Sequence, residues 1–419
     1  MEVFKFGGAS IYNAQYIKQL AQIVKEANRP LVIVISAMGK TTNTLEKIVN
    51  AYFFHNKDFK PIIEEIKNYH YSITKKLFQK HHIVFDKLKT LFSELEQTLQ
   101  VAPSMNYDFD YDRIVHYGEL LSTTIISEYL NNIKIKNTLI NAQNLIHTDS
   151  NYRQAKINWQ KTHKAINQIL NFQKTDIFIT QGFIGSDANK QATTLGREGS
   201  DFTAAIIAWA LNAKKITVWK DVQGIYSADP KFYPNAKLFK RLSYDETIEL
   251  AYYGAKVIHP KTLKPLKDKS IPLYVKSFLT PHSQGTIITE FDKHLDPYMP
   301  IIINKTGQTL ISIRHKDSSF ITERDIEKIF CAINHHKIVN NVMQRSALNF
   351  SFCVDYHRVH LPNLIEELKR NFQVKYNTDL QLITIRHYDR ETIKKMTADK
   401  EILLHQQSRT NVFFVVRNK

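Results

Sequence analysis

Cysteine is nearly absent. The 419 residues hold two, Cys331 and Cys353, too few for a disulfide framework and without the paired spacing of a metal site. They read as reduced core residues. No apolar run approaches the roughly 20 residues that a bilayer-spanning helix needs. Met1 leads straight into the strand-like EVFKF, with neither the basic stretch nor the apolar core of a secretory signal. The expectation is a cytoplasmic protein with no membrane partner. Acidic residues are also scarce, 40 Asp and Glu against 57 Lys and Arg, which leaves a net charge of +17. Such a surplus suits a nucleic-acid surface, a membrane surface or a field that attracts anionic substrates. Here the positive charge is scattered without a long basic block, and the richness in Lys, Asn, Ile, Tyr and Phe also fits an AT-rich coding bias. No nucleic-acid partner is expected. Hydrophobic residues at 43% and charged ones at 23% are ordinary for a folded chain. The length predicts two or three domains.

The first 50 residues alternate the apolar run VFKF, a polar-capped periodic helix over about 13–28, the run LVIVIS and another helix, a βαβα opening. Ile62, Ile63, Ile66, Tyr69 and Ile73, spaced three and four apart, then predict a helical insert over about 52–110. A helix over about 118–129, a strand near 137–140, a helix over 156–172 and the strand DIFIT at 176–180 restore the alternation. The fold class expected is α/β, a mostly parallel sheet sandwiched by helices. A helix from Ser200 through Ala210 leads into ITVWKD and a turn through Gly224. Ser243 and Glu246 give the S-x-x-E capping signature of a helix ending near Gly254. IPLYVK at 271–276 reads as the last strand of this domain, taken as residues 1–290. Pro281, Gly285, Pro297 and Pro300 mark 279–300 as a linker. Beyond it TLISIRH, a helix over about 323–335, LNFSFCV and a helix over about 361–372 read as β-α-β-β-α, the ferredoxin-like order of small effector-binding modules, over about 309–378. LQLITIR, a short helix near Thr392, EILLHQQ and NVFFVV form a second set, one helix short.

Several motifs sit where strands end and helices begin. In KFGGAS at 5–10, Gly7 and Gly8 let backbone amides approach a phosphate and Lys5 adds a point charge, although the same residues also make a plain tight turn. SAMGKTTN at 36–43 offers Ser36, Thr42 and Asn43 at the carboxyl end of a buried strand, where open α/β sheets bind ligands, or else a polar turn that caps the next helix. Glu119 in HYGE opens an otherwise apolar helix segment, a place that also suits compensation of the helix dipole. The stretch QGFIGSDANKQATTLGREGSD, 181–201, joins a strand-end glycine turn to Arg197, Asp201 and a helix start at Ser200. A planar guanidinium matches a carboxylate with two bonds, and a helix amino terminus adds backbone donors. Alone, Asp229-Pro230 in WKDVQGIYSADPK marks only a turn and Lys256 in YGAKVIHP only a surface charge. Adjacent histidines, His81-His82 and His335-His336, project about 100° apart on a helix, unlike ligands four residues apart, and are not read as metal sites.

Taken together, these motifs resemble the amino-acid kinase family, and within it the aspartate kinases, from Lys5 to about Gly285 and more loosely to the C-terminus. The resemblance implies an amino-acid kinase fold followed by two ferredoxin-like ACT modules, one inserted into the other, with IIIN at 301–304 joining the second, so that it comprises 301–308 and 379–419. It implies ATP-dependent phosphorylation of the β-carboxylate of L-aspartate, the entry step to lysine, threonine and methionine. Lys5 and Asp201 would be catalytic, Asp201 by steering Lys5. Ser36, Thr42, Glu119, Phe183, Arg197 and Ser200 would hold aspartate, Glu119 at the α-amino group and Arg197 at the α-carboxylate. Lys5, Gly7, Gly8, Ser10, Lys220, Asp221, Tyr226, Lys231 and Lys256 would hold ATP, with Mg²⁺ carried mainly by the ATP phosphates and water and no metal site of the protein's own. The partners implied are ATP, aspartate and a second copy of the chain, through the ACT-like region.

The chain departs from the family pattern at several points. Ala9 stands for Thr, Lys220 for Thr, Lys231 for Arg and Glu198 for Gly, with Glu198 expected to point to solvent. Lysine-sensitive relatives carry Gly-Phe before the first ACT helix and an acid after it. Here DSSFITER has no glycine and IVNNVM has Asn340 and Asn341, so lysine inhibition is expected to be weak or absent. A kinase acting on glutamate or acetylglutamate, a non-catalytic effector-binding protein and a basic nucleic-acid binder stand as alternatives.

Overall fold

The computed structural model describes residues 1–55, 58–196, 198–255, 258–291, 299–358 and 360–418. Strand β1 (Glu2–Phe6) is buried along its whole length, as a central strand must be when helices cover both faces. It runs parallel to β2 (Leu31–Ile35), with α1 (Ala14–Glu26) between them. The Asn13 side chain caps α1 by accepting from the Tyr16 amide at 2.8 Å. The regular structure of the insert is helical, as α2 (Thr41–Phe54), α3 (Lys60–Leu77), α4 (Val84–Gln100) and α5 (Tyr107–Val115). Its apolar stripes, with Ile63, Ile66, Ile73, Leu88 and Phe92, join the same core as β1 and β2. There follow α6 (Tyr117–Asn132), β3 (Thr138–Ile140), α7 (Trp159–Ile169), β4 (Ile177–Gln181), a hairpin of β5 (Ile184–Ser186) and β6 (Ala192–Thr194), α8 (Gly199–Ala210), β7 (Lys215–Lys220), β8 (Arg241–Leu242), α9 (Tyr244–Tyr252), α10 (Pro260–Asp268), β9 (Leu273–Ser277) and β10 (Thr286–Ile288).

The main sheet has the order β3-β4-β2-β1-β7-β9-β10-β8. It is parallel from β3 to β9, and β10 returns antiparallel to β9. IPLYVK is therefore not the last strand. Gly285, at φ +70°, turns the chain back, and a strand of three residues between turns is too short to show an alternation in sequence.

The chain divides into two compact units. The first comprises Met1–Ile225, Leu238–Ile248 and Val257–Phe291; the second comprises Tyr226–Lys237, Glu249–Lys256 and Asp292–Lys419. The second is built on β11 (Ile301–Arg314), α11 (Glu323–His335), β12 (Asn340–Arg345), β13 (Phe350–Asp355), α12 (His360–Asn371), β14 (Gln373–Arg386), α13 (Arg390–Thr397), β15 (Lys400–Gln407) and β16 (Asn411–Asn418). Its sheet is antiparallel, in the order β12-β13-β11-β14-β16-β15. β11 and β14 pair along the centre, and their register slips between Lys305 and Leu310. On one side of that slip Ile311, Ile313, Phe350 and Phe352 pack under α11 and α12. On the other, Ile383, Ile385, Val412 and Phe414 pack with Met396 of α13 and with Tyr233. The half with a single helix is also braced from earlier segments. The Ile302 amide donates to the Ser227 carbonyl at 2.7 Å, and Arg386 pairs with Glu249 at 2.8 Å. No helix among the described residues is long and apolar enough to cross a membrane.

Candidate active site

The carboxyl ends of β1, β2, β4 and β7 open side by side, where the chain leaves β1 in one direction along the sheet and later returns on its other side as β7. Lys5 and Phe6 end β1 in register with Val218 and Trp219. Gly7 follows in extended conformation, and a 3-10 turn takes residues Gly8–Ile11. A Cβ on Gly7 would stand 3.4 Å from Lys5 Nζ, so the ammonium lies over bare backbone. A Cβ on Gly8 would collide with the Ala37 carbonyl at 2.6 Å. That close approach lets the Gly39 amide donate to the Gly8 carbonyl at 3.1 Å and locks the two strand-end loops together. The Ser10 hydroxyl donates to the Trp219 carbonyl at 3.2 Å, which fixes the turn to β7. Ala9 is exposed on the same turn.

Lys5 Nζ lies 2.6 Å from Asp201 Oδ1, and Lys220 Nζ, at the end of β7, lies 3.8 Å from Asp201 Oδ2. Asp201 is 2% exposed in the first turn of α8. Burial raises its pKa, but Lys5, Lys220 and His259 more than reverse this and hold the carboxyl below the usual carboxylate range. His259 itself caps α10 by accepting from the Lys261 amide. Gly182 brings β4 onto α8, since a Cβ there would sit 2.4 Å from that of Ser200. Phe183 follows at φ +70°, with its amide donating to Thr203 Oγ1 at 3.0 Å.

Glu119 faces this cluster from α6. It is 2% exposed, its Oε1 accepts from the Ala37 amide at 3.2 Å, and its Oε2 is buried with no partner. Burial pushes its pKa up to about 8, against the Ala37 amide and the charge of Lys5, which lower it. Ser36 is tied alongside, its carbonyl accepting from the Ser122 hydroxyl at 2.8 Å. Thr42, half-buried, lies in the first turn of α2.

Residues 1–277 match the model of the amino acid kinase family. The chain belongs to that family. Among the kinases of this family it is similar to, the bifunctional aspartokinase/homoserine dehydrogenase of Buchnera aphidicola is 30% identical over 91% of this chain and 47% of its own length. The chain thus spans about half of that relative. Aspartokinase 2 of Arabidopsis thaliana, chloroplastic, is 32% identical over 89% of this chain and 71% of its own length. The crystal structure of E. coli aspartokinase III in complex with aspartate and ADP superposes with a TM-score of 0.84 at 25% identity, covering 99% of this chain and 96% of that one.

Of the residues expected in this amino acid kinase site, Lys5, Gly7, Gly8, Ser10, Ser36, Thr42, Glu119, Phe183, Ser200, Asp201, Lys220 and Asp221 lie in the first unit, on the strand ends and the turns and helix starts that follow them. Arg197 and Lys256 lie outside the described residues. Tyr226 and Lys231 belong to the second unit, where the Lys231 amide is bound in a turn by Asp229. One expectation fails. Glu198, instead of presenting its carboxylate to solvent, has Oε2 buried without a partner. Its left-handed backbone, φ +56°, just before α8 turns the side chain inward. Gln181 was missed by sequence reading. It donates to Thr123 at 2.8 Å and accepts from the Ala142 amide at 2.8 Å, anchoring α6 to β4 behind Glu119. A buried glutamine at the end of an apolar strand was the available signal.

Proposed function

We propose that the chain transfers the γ-phosphoryl group of ATP to the β-carboxylate of L-aspartate, giving 4-phospho-L-aspartate. The observation that carries this reading is Glu119, whose Oε2 is buried and unpaired within reach of the Lys5 charge. An orphaned carboxylate oxygen in a dry site calls for a cationic ligand, and the α-ammonium of an amino acid meets that need. Acetylglutamate has no such ammonium and would leave the oxygen unpaired. The β-carboxylate, with an ordinary pKa of about 3.9, is already a nucleophilic anion at neutral pH and needs no general base.

The protein's task is then to gather positive charge and hold the reacting oxygens in line. Two lysines against one aspartate leave a surplus of one positive charge where the phosphates would lie. Asp201 keeps both ammonium groups aimed, and the amino terminus of α8 adds the positive end of its dipole there. Arg197 is assigned to the α-carboxylate, with Ser36, Thr42, Phe183 and Ser200 around the substrate. Gly7, Gly8 and Ser10 shape the phosphate turn. Asp221, Tyr226, Lys231 and Lys256 are assigned to ATP from the motif alone. Mg²⁺ fits as an ion carried by the ATP phosphates, because Asp201, the carboxylate beside Lys5 and Lys220, is engaged by both lysines rather than held open for a metal. When bound it would neutralise phosphate charge. We assign the chain to the cytoplasm and to a homodimer formed through the ACT-like region, which sedimentation of the pure protein would test.

A coupled assay for ADP release with aspartate, glutamate and acetylglutamate tests the reading. Turnover is expected with aspartate alone. ATP binding without turnover on any of the three would select a non-catalytic effector-binding protein instead.

A further inference from the structure

Outside the active site, one group of metal-ligating side chains stands out among the described residues. His335, His336 and Glu367 bring three donor atoms within 4.8 Å of one another. Two neighbouring histidines on one helix diverge, which is why the pair alone does not suggest a site. The structure adds a third donor from a second helix. His335 is the last residue of α11 and His336 its C-cap, while Glu367 lies near the end of α12. Glu367 Oε2 stands 3.4 Å from His335 Nδ1 and 2.7 Å from His336 Nε2, so it spans the gap between the imidazoles. The backbone beneath is fixed, because Ala332 and Ile333 of α11 and Leu364 and Leu368 of α12 are buried in one core. Both helices end here, and the partial negative charge of helix carboxyl ends favours a cation.

We propose that His335, His336 and Glu367 form a binding site for a divalent transition metal of the zinc, cobalt or nickel class, tying α11 to α12. Two imidazoles and one carboxylate suit such ions rather than magnesium or calcium, which prefer oxygen. Ligand bonds of about 2.0–2.2 Å in tetrahedral geometry set neighbouring donors roughly 3.4 Å apart. The His335–Glu367 spacing already meets this, and the closer His336–Glu367 contact opens by side-chain rotation. Three protein ligands leave a position for water. The site does not depend on the kinase reading, and none of its ligands is a residue assigned to the proposed chemistry.

The test uses the full chain, stripped of metal and free of nucleotide, titrated with Zn²⁺ by calorimetry and with Co²⁺ by visible absorption. Expected are one equivalent bound per chain, a rise in Tm on metal addition, and a tenfold or greater loss of affinity in each of His335→Ala, His336→Ala and Glu367→Gln. The metal-free Tm of these variants should match that of the parent, and their Mg²⁺-supported aspartate kinase activity should be unchanged. His81→Ala serves as a control that binds normally. Absence of binding by the parent protein up to millimolar metal, or equal binding by the three variants, would overturn the proposal.

Discussion

A carboxylate shut away from water with one oxygen unpaired, as in Glu119, resists ionisation, and its pKa of about 8 expresses that cost. An ammonium placed on the open oxygen reverses the balance. Binding of aspartate below about pH 8 must therefore expel the Glu119 proton, and the KM for aspartate should rise about tenfold per unit of falling pH, then level off above pH 8. Glu119→Gln should flatten this profile and raise KM throughout. Initial rates at saturating ATP from pH 6 to 9 decide it, and a flat profile in the parent enzyme would deny the pairing. Lys5 and Lys220, both drawn to Asp201, are cations held ready for phosphate. Lys5→Ala should lower kcat by about 10²–10³ with a smaller change in KM, the usual cost of losing a group that stabilises transition-state charge. Lys220→Thr should cost about tenfold, and the double variant should lose less than the product of the two, because the lysines share one carboxylate. Near wild-type kcat in Lys5→Ala would sink the phosphate role. The resemblance gave Lys220 as an ATP ligand standing in place of threonine, with no link to Asp201. Its place beside Asp201 follows from β7 lying against β1, a neighbour relation that no local spacing encodes.

At the scale of elements, what was legible followed burial. β2 is a continuous apolar run and β1 and β4 carry apolar residues on both faces because all three are covered on both sides, and the caps at Asn13 and Ser243 stand in the sequence where the helices begin. The hairpin of β5 and β6 and the strand β10, three residues each, were not legible, since so short a strand carries no periodicity. The insert was read as helical, but its relation to the site was not. α3 carries Tyr69, whose hydroxyl donates to the Tyr12 carbonyl at 2.7 Å and would lie 2.6 Å from a Cβ on Gly39, which is held at φ +54°. Burial pushes the Tyr69 hydroxyl up to about 12, so it remains a donor across the working range. The insert thus buttresses the two strand-end loops that Gly8 and Gly39 lock together. Tyr69→Phe should cost about 1 kcal/mol of stability and raise the KM for ATP severalfold with little change in that for aspartate. Thermal melts and two-substrate kinetics measure both, and an unchanged ATP KM would confine Tyr69 to a structural role.

For the molecule as a whole, the open question of regulation turns on whether the ACT-like unit offers a negative charge to a cationic effector. Around the first ACT helix Asp317, Glu323 and Asp325 are already engaged. Asp317 accepts from Ser319, Glu323 pairs with Arg345 at 2.8 Å, and Asp325 accepts from Thr322 and pairs with His315 at 3.0 Å. On the strands beyond, Asp355 accepts from Gln308 and Asn341 and lies 3.6 Å from Lys305, whose ammonium also reaches Asn341 Oδ1 at 2.9 Å. Asn340 Oδ1 is buried without a partner, but it is a neutral amide oxygen. Replacing a charge-assisted hydrogen bond by a neutral one forfeits about 1–1.5 kcal/mol, which weakens binding roughly tenfold. Lysine should therefore inhibit weakly, with half-inhibition above the millimolar range, and Asn340→Asp should increase sensitivity by restoring the charge. Titrating lysine and threonine into the aspartate kinase assay, separately and together, tests both statements. Half-inhibition of the parent enzyme by sub-millimolar lysine would mean that the ammonium is met by residues other than these, and an Asn340→Asp variant no more sensitive than the parent would remove Asn340 from the effector site.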